Sequence, residues 1–109
     1  MAIIKLSNGV KVGSESSVPH QIDVDNLIAN PTNSEYTATE DCYILHDRYA
    51  YNHTIKMQIK GSNNTWTNVL YLTVGSEGRG TIGFILQKGS TVKVSDSDGA
   101  VAYKVYGLK

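Results

Sequence analysis

Strict alternation of apolar and polar side chains marks the middle of the chain. In residues 54–60, TIKMQIK, Ile55, Met57 and Ile59 share one face and polar side chains the other, as in a strand with one face in a core. Residues 61–64, GSNN, have turn chemistry, and residues 66–74 are rich in valine, leucine, tyrosine and threonine. The pattern predicts an antiparallel hairpin.

Other short strands follow at similar spacing. We predict strands over residues 36–46, 81–86, 91–95 and 100–106, with a turn at 88–90 and a hairpin turn at 96–99 joining the last two. The segment 75–80, GSEGRG, is too glycine-rich for a regular element and is predicted to be a loop or a crossing between sheets. Helical periodicity is nearly absent, so the expected class is an all-β antiparallel sandwich or barrel.

The first third of the chain is less regular. Residues 3–6 and 10–12 flank SNG as a small hairpin, residues 13–20 have the composition of a linker, and residues 21–28 fit either a strand or a helical turn. With 109 residues the chain is expected to form one core. We therefore expect an N-terminal hairpin and linker over residues 1–35 and a β-sandwich domain over residues 36–109.

Charge and cysteine content exclude several classes. Ten basic and ten acidic residues give a formal net charge of zero, so no global field attracts nucleic acid or an anionic membrane. Cys42 is the only cysteine, which excludes an internal disulfide and favours a small buried side chain. The N-terminal residues lack the pattern of a signal peptide or a membrane span, so synthesis in the cytoplasm is expected.

No catalytic or metal motif stands out. No spacing among His20, His46 and His53, or between them and nearby acids, matches a metal motif, and His46 and Asp47 would point to opposite faces of a strand. No nucleophile elbow or phosphate loop occurs. Turn formation explains Asp96 and Asp98 better than paired catalytic carboxylates do. We expect no enzyme activity, catalytic residue, metal or cofactor.

Aromatic residues are the most unusual feature, with seven tyrosines and one tryptophan. Tyr49, Tyr51 and Trp66 are predicted at or beside loops, where exposed rings can stack on a sugar or anchor an interface. They are the candidate ligand-binding residues. The others that fall on predicted strands are expected to pack there with their hydroxyls at the rim: Tyr43, Tyr71, Tyr103 and Tyr106.

Three short segments carry a family resemblance. Residues 36–44, YTATEDCYI, residues 86–92, LQKGSTV, and residues 105–108, VYGL, resemble strand and turn signatures of small jelly-roll domains in phage tail fibres and related virion proteins, with Cys42 and Ser90 where that family has glycine and aspartate. Lys88-Gly89 would permit a positive-φ turn, and Asp41 could bond its own backbone. The resemblance, which extends to the tumour-necrosis-factor and complement-head β-sandwich, implies a jelly roll and a trimer.

The expected function is accordingly non-catalytic. The resemblance implies a phage or prophage virion structural protein, in a tail fibre, baseplate or capsid decoration, that assembles as a homotrimer with other virion proteins and contributes to host-surface glycan binding. The alternative is a stand-alone bacterial carbohydrate-binding module, a monomer with an aromatic platform that includes Trp66. A small hydrolase would need an acid pair or a nucleophile to converge in space.

Overall fold

Six β-strands form the described part of the protein. The structure is a computed structural model that describes residues 21–99 and 102–109. The strands are β1 (Ile22–Ala29), β2 (Glu35–Thr37), β3 (Cys42–Lys60), β4 (Trp66–Leu86), β5 (Thr91–Asp96) and β6 (Lys104–Leu108). All pairings are antiparallel, and within the described ranges there is no helix. The predicted all-β antiparallel class is confirmed.

Strand β3 is the centre of one curled sheet. The order is β1-β6-β3-β5-β2, and β4 pairs with the opposite edge of β3. Strand β4 follows β3 along nearly its whole length, whereas β6 pairs with residues 42–45 of β3 and β5 with residues 55–59. The middle of β3, residues 46–54, therefore lies between the ends of two shorter strands. The molecule is elongated, 53 × 34 × 24 Å.

The core lies on one face of this sheet. Ile55 and Met57 are fully buried, and Ile59 is half-buried and packs against the main core cluster, as the alternation predicts. Val92 and Val94 are fully buried on β5. The main cluster of buried side chains comprises Ala38, Cys42, Ile44, Met57, Leu86, Val92, Val94, Tyr103 and Val105.

The glycine-rich segment is part of a strand. Strand β4 continues through residues 75–80, so the predicted loop or crossing is wrong. Gly78 lies opposite Ala50, and Gly80 opposite Arg48. A Cβ atom at Gly80 would lie only 2.6 Å from Ile55 Cδ1, so this glycine leaves room for a core side chain from the neighbouring strand. Backbone pairing with β3 outweighs the low strand propensity of glycine here.

Two other sequence expectations change. Residues 22–29 form a strand, which settles the choice between strand and helix, and Ile22 pairs with Leu108. Residues 22–35, grouped above with an N-terminal linker, thus contain a strand of the same sheet. The predicted hairpin across residues 96–99 is wrong, because β5 pairs with β2 and β3 whereas β6 pairs with β1 and β3. The predictions for residues 3–6, 10–12 and 13–20 lie outside the described residues.

The turns agree with the sequence more closely. Residues 61–64 form the predicted turn, closed by a hydrogen bond of 2.7 Å from the Gly61 N–H to the Thr65 carbonyl. Gly89 has the predicted positive φ, 89°. Asp41 does not bond its own backbone but accepts a 2.9 Å hydrogen bond from the Lys88 N–H. This contact fixes the turn before β5 to the start of β3.

Candidate functional site

Tyr49 and Tyr51 lie in the middle of β3 and are exposed by 54% and 70%. Their placement at or beside a loop was therefore predicted wrongly, since β3 is continuous through both residues. They face Arg79 and Glu77 across the β3–β4 pairing, and the Arg79 guanidinium lies 6.0 Å from the centre of the Tyr49 ring. The two tyrosines share one exposed face of the ribbon formed by β3 and β4.

Trp66 lies far from these tyrosines. It begins β4 beside the turn at residues 61–64, as predicted, and pairs with Lys60. Since Lys60 is nine residues beyond Tyr51 on β3, the separation along the strand is about 30 Å. The Lys93 ammonium lies 4.5 Å and the Lys60 ammonium 5.5 Å from the centre of the indole ring. The three aromatic residues therefore do not form one platform, and two cations already contact the indole.

An ion-pair network lies on the same outward face. Asp47 accepts hydrogen bonds from Arg79 Nη1 at 2.9 Å and from the Thr81 hydroxyl at 2.6 Å. The hydrogen bond from Thr81 is the main cause that lowers the pKa of the Asp47 carboxyl below its ordinary value, and the bond from Arg79 adds to it. As predicted, Asp47 points away from its neighbour His46, which is buried.

The inward face of β3 carries a buried polar cluster, the His–Asp cluster, made of His46, His53 and Asp96. Exposed fractions are 1%, 1% and 6% in that order. Asp96 Oδ2 lies 3.0 Å from His46 Nε2 and 3.0 Å from His53 Nδ1, and Asp96 Oδ1 lies 3.1 Å from the same nitrogen of His53. One carboxylate thus joins both imidazoles where β3 has no strand partner on the side of β5 and β6.

The other nitrogen of each ring faces a backbone carbonyl. His46 Nδ1 lies 2.9 Å from the Ala102 oxygen, and His53 Nε2 lies 3.3 Å from the Gly78 oxygen. The hydrogen bond to Asp96 is the main cause that raises the pKa of His53, and the Gly78 carbonyl adds to it while burial opposes it. The cluster therefore attracts positive charge into the interior.

A backbone irregularity brings the two histidines together. Positions 46 and 53 differ by an odd number and would face opposite sides of a regular strand. A register shift between Tyr51 and His53, with Asn52 at φ 50°, reverses the alternation so that both rings point inward. Sequence reasoning missed this cluster because it compared the histidines with acids nearby in the chain and assigned Asp96 to a turn. The alternation of apolar and polar residues along β3 does not indicate where the bulge lies.

Asp96 and Asp98 do take part in the predicted turn. The Asp98 N–H lies 3.3 Å from Asp96 Oδ1, and the Gly99 N–H donates to the Asp96 carbonyl at 2.9 Å. Arg48 Nε donates to Asp98 Oδ2 at 2.8 Å. Asp96 therefore has two roles, since it closes the turn and also accepts from the buried imidazoles.

The cluster lacks the features of a nucleophilic site. Within the described residues, the two rings form hydrogen bonds with a carboxylate and with backbone carbonyls, and none with a hydroxyl or thiol. Cys42, a buried side chain as predicted, lies with its sulfur 3.7 Å from the Leu86 carbonyl. Burial, with smaller contributions from Glu40 and Asp41, raises the pKa of the Cys42 thiol to about 11. A thiol in this state is a weak nucleophile near neutral pH.

Tyr103 departs from the expected packing of tyrosines. It precedes β6 and is only 2% exposed, so its hydroxyl is not at a rim. Among the described residues, the hydroxyl oxygen has no hydrogen-bond partner. Burial is the main cause that raises the pKa of Tyr103 to about 12. Tyr103 also lines an open cleft of about 300 Å³ with Leu45, Ala102 and Tyr106.

Comparison with known proteins found no relative. No family model, curated protein or solved structure matches the chain. In residues 21–99 and 102–109, no helix is long and apolar enough to cross a membrane. The conclusions on function therefore depend on the residues and their geometry.

Proposed function

We propose that the protein is a non-catalytic structural component of a phage or prophage virion, in a tail fibre, baseplate or capsid decoration, and that it contributes to host-surface binding. The observation that carries the proposal is the long ribbon of β3 and β4, whose outward face presents Tyr49 and Tyr51. Such a ribbon extends binding side chains away from a small core. Exposed tyrosines suit contacts that combine an apolar ring with a polar tip.

Assembly into a homotrimer of jelly-roll type is part of this proposal. Three features support it. The sheet is antiparallel and curled, the net charge is zero, and apolar side chains are exposed on the outer strands: Val24, Leu27, Val69 and Ile85. Within the described residues, β4 pairs only with β3, which leaves one edge of a 21-residue strand for contacts between subunits or with other virion proteins.

The carbohydrate-binding module remains the competing function. It requires a planar aromatic surface open to a sugar. Because two lysines already lie over the Trp66 ring, Trp66 is a poor centre for such a surface. The tyrosine pair is the better candidate for glycan contact in either case.

Light scattering coupled to size exclusion over a tenfold range of concentration tests the assembly. We expect three times the chain mass of 11.9 kDa at every concentration. A monomer throughout would overturn the virion jelly-roll proposal and favour the module.

A second assay compares binding of the wild type and of a Tyr49→Ala, Tyr51→Ala double variant to purified bacterial surface polysaccharide. We expect weaker binding with unchanged mass, whereas a Tyr71→Ala control should bind like the wild type.

A further inference from the structure

We propose that His53, Asp96 and Asp98 bind one divalent transition-metal ion of the zinc class, and that His46 positions the Asp96 carboxylate for it. Each of the three ligand residues offers one ligand atom, and these atoms lie within 4.8 Å of one another. Ligand atoms around a tetrahedral zinc ion, with bonds of about 2.0–2.2 Å, are about 3.5 Å apart. Small side-chain movements would therefore bring the three onto one ion.

The orientation of the imidazoles supports a cation at this place. All four ring nitrogens of His46 and His53 face oxygen acceptors. A neutral imidazole has one N–H and one lone pair. When His53 donates its Nε2–H to the Gly78 carbonyl, its Nδ1 lone pair points at Asp96, which is repulsive unless a cation lies between them.

The backbone contacts match the outer shell of metal sites. A metal-bound histidine almost always donates its second ring N–H to a carbonyl or a carboxylate, which fixes the tautomer. The Gly78 carbonyl accepts from His53 Nε2 and leaves Nδ1 for the ion. His46 instead donates its Nε2–H to Asp96 Oδ2, the oxygen that also faces His53, and so holds the carboxylate in place.

Asp98 connects the site to solvent. Residue 98 is exposed whereas His53 and Asp96 are buried, so an ion can reach them past its carboxylate. Arg48 donates to Asp98 Oδ2, and a carboxylate has about four acceptor positions, so it can bind an ion and a guanidinium together. One nitrogen and two carboxylate ligands favour zinc over magnesium or calcium, which prefer oxygen ligands only.

The ion would have a structural role. His53 belongs to β3, Asp96 ends β5 and Asp98 lies in the turn that follows. An ion held by all three would join β3 to β5 beyond their last paired residues, Ile55 and Asp96. The motif search in the sequence expected no metal, because His53 is more than forty residues from Asp96 and Asp98 and its inward direction depends on the bulge at Asn52. This inference is independent of the proposed virion function.

Titration of the full chain with Zn²⁺ tests the site. The protein is first dialysed against EDTA and then against buffer without chelator, and binding is followed by calorimetry and by thermal unfolding. We expect one Zn²⁺ per chain, a higher Tm with Zn²⁺, and no such change with Mg²⁺. Asp98→Asn and His53→Gln should each weaken Zn²⁺ binding at least about tenfold. Asp47→Asn is the matched control, since Asp47 also pairs with an arginine but lies on the opposite face, and it should bind like the wild type.

Two results would overturn the proposal. One is the lack of saturable binding up to about 1 mM Zn²⁺. The other is equal affinity of the wild type and of Asp98→Asn, whose substitution at an exposed residue keeps the fold intact. Circular dichroism confirms folding of each variant before titration. The oligomer mass tests virion assembly separately, so failure of the zinc proposal and failure of the proposed function can be told apart.

Discussion

The ring of Tyr43 on β3 lies against Gly83 on β4, so closely that a Cβ atom at Gly83 would be 2.5 Å from Tyr43 Cε1 and 2.5 Å from the Ile44 carbonyl oxygen. The ring crosses the strand pair diagonally, because Tyr43 is directly opposite Ile85. An aromatic ring over a strand glycine shields the hydrogen bonds between the two strands from water, because the glycine has no side chain of its own to cover them.

We expect Gly83→Ala to destabilise the protein by about 1–3 kcal/mol, because the backbone oxygen cannot move away as a flexible side chain could. Gly75→Ala is the control in the same strand. A Cβ atom there meets nothing within 4 Å, and alanine is better than glycine in a strand by about 0.5 kcal/mol. Urea unfolding measures both, and equal stability of the two variants would contradict the close packing at Tyr43.

Tyr103→Phe should stabilise the protein by about 1 kcal/mol, since it removes a buried hydroxyl that has no partner among the described residues. Tyr71→Phe, at an exposed position, should change the free energy of unfolding by less than about 0.5 kcal/mol. A loss of stability in Tyr103→Phe would contradict this prediction and show that the hydroxyl is hydrogen-bonded in the folded protein.

Alkaline pH should weaken the fold through the same side chain. The pKa of Tyr103 rises from its ordinary 10.0 to about 12 in the folded protein, so folding favours the neutral phenol. The shift contributes on the order of 3 kcal/mol to the free energy of unfolding. This contribution is fully present below pH 10 and is lost as the pH rises from about 10 to about 12. Urea unfolding of the wild type and Tyr103→Phe across that range should show a steeper loss for the wild type. Parallel curves would contradict the shift.

Asp96→Asn should destabilise the protein by about 1–3 kcal/mol, measured in EDTA, because an amide cannot accept all the hydrogen bonds that the carboxylate accepts and leaves a buried polar group unpaired. Asp98→Asn should cost less than about 1 kcal/mol under the same conditions, since its ion pair with Arg48 is partly exposed. Similar losses in the two variants would mean that the His–Asp cluster does not stabilise the interior.

Cys42 should resist alkylation in the folded protein. Its thiol is buried and its pKa is about 11, so few thiolates form near neutral pH and reagents cannot reach them. Mass spectrometry after iodoacetamide treatment should find little modification in buffer and complete modification in urea. Rapid labelling in buffer would indicate that β3 separates from β4 at its first residues.

Local patterns predicted the hairpin around residues 61–64 and the turn at Gly89, because turn residues and alternating side chains act within a few positions. They failed for residues 75–80, because glycine has a low strand propensity and the side chains of the neighbouring strand that require it cannot be read from a local pattern. Gly80 is compatible with β4 because Ile55 occupies the space its side chain would need.

The His–Asp cluster could not be predicted from the sequence for a different reason. It depends on a bulge at Asn52, which reverses which side chains point inward, and on Asp96, forty-three residues beyond His53. The predicted hairpin between β5 and β6 failed similarly. Adjacent strands usually pair, but here both are placed along β3, beside different parts of it.

The pairing of Ile22 with Leu108 sets the order of events during synthesis. Strand β1 leaves the ribosome before any other described strand, yet its partner β6 is translated after all of them. The ribbon of β3 and β4 can form from neighbouring segments, whereas the backbone of β1 must wait unpaired until β6 is made. Contacts between such distant positions slow folding toward the range of milliseconds to seconds, so the newly made chain passes through a stage in which this strand is open to aggregation or to capture by a chaperone.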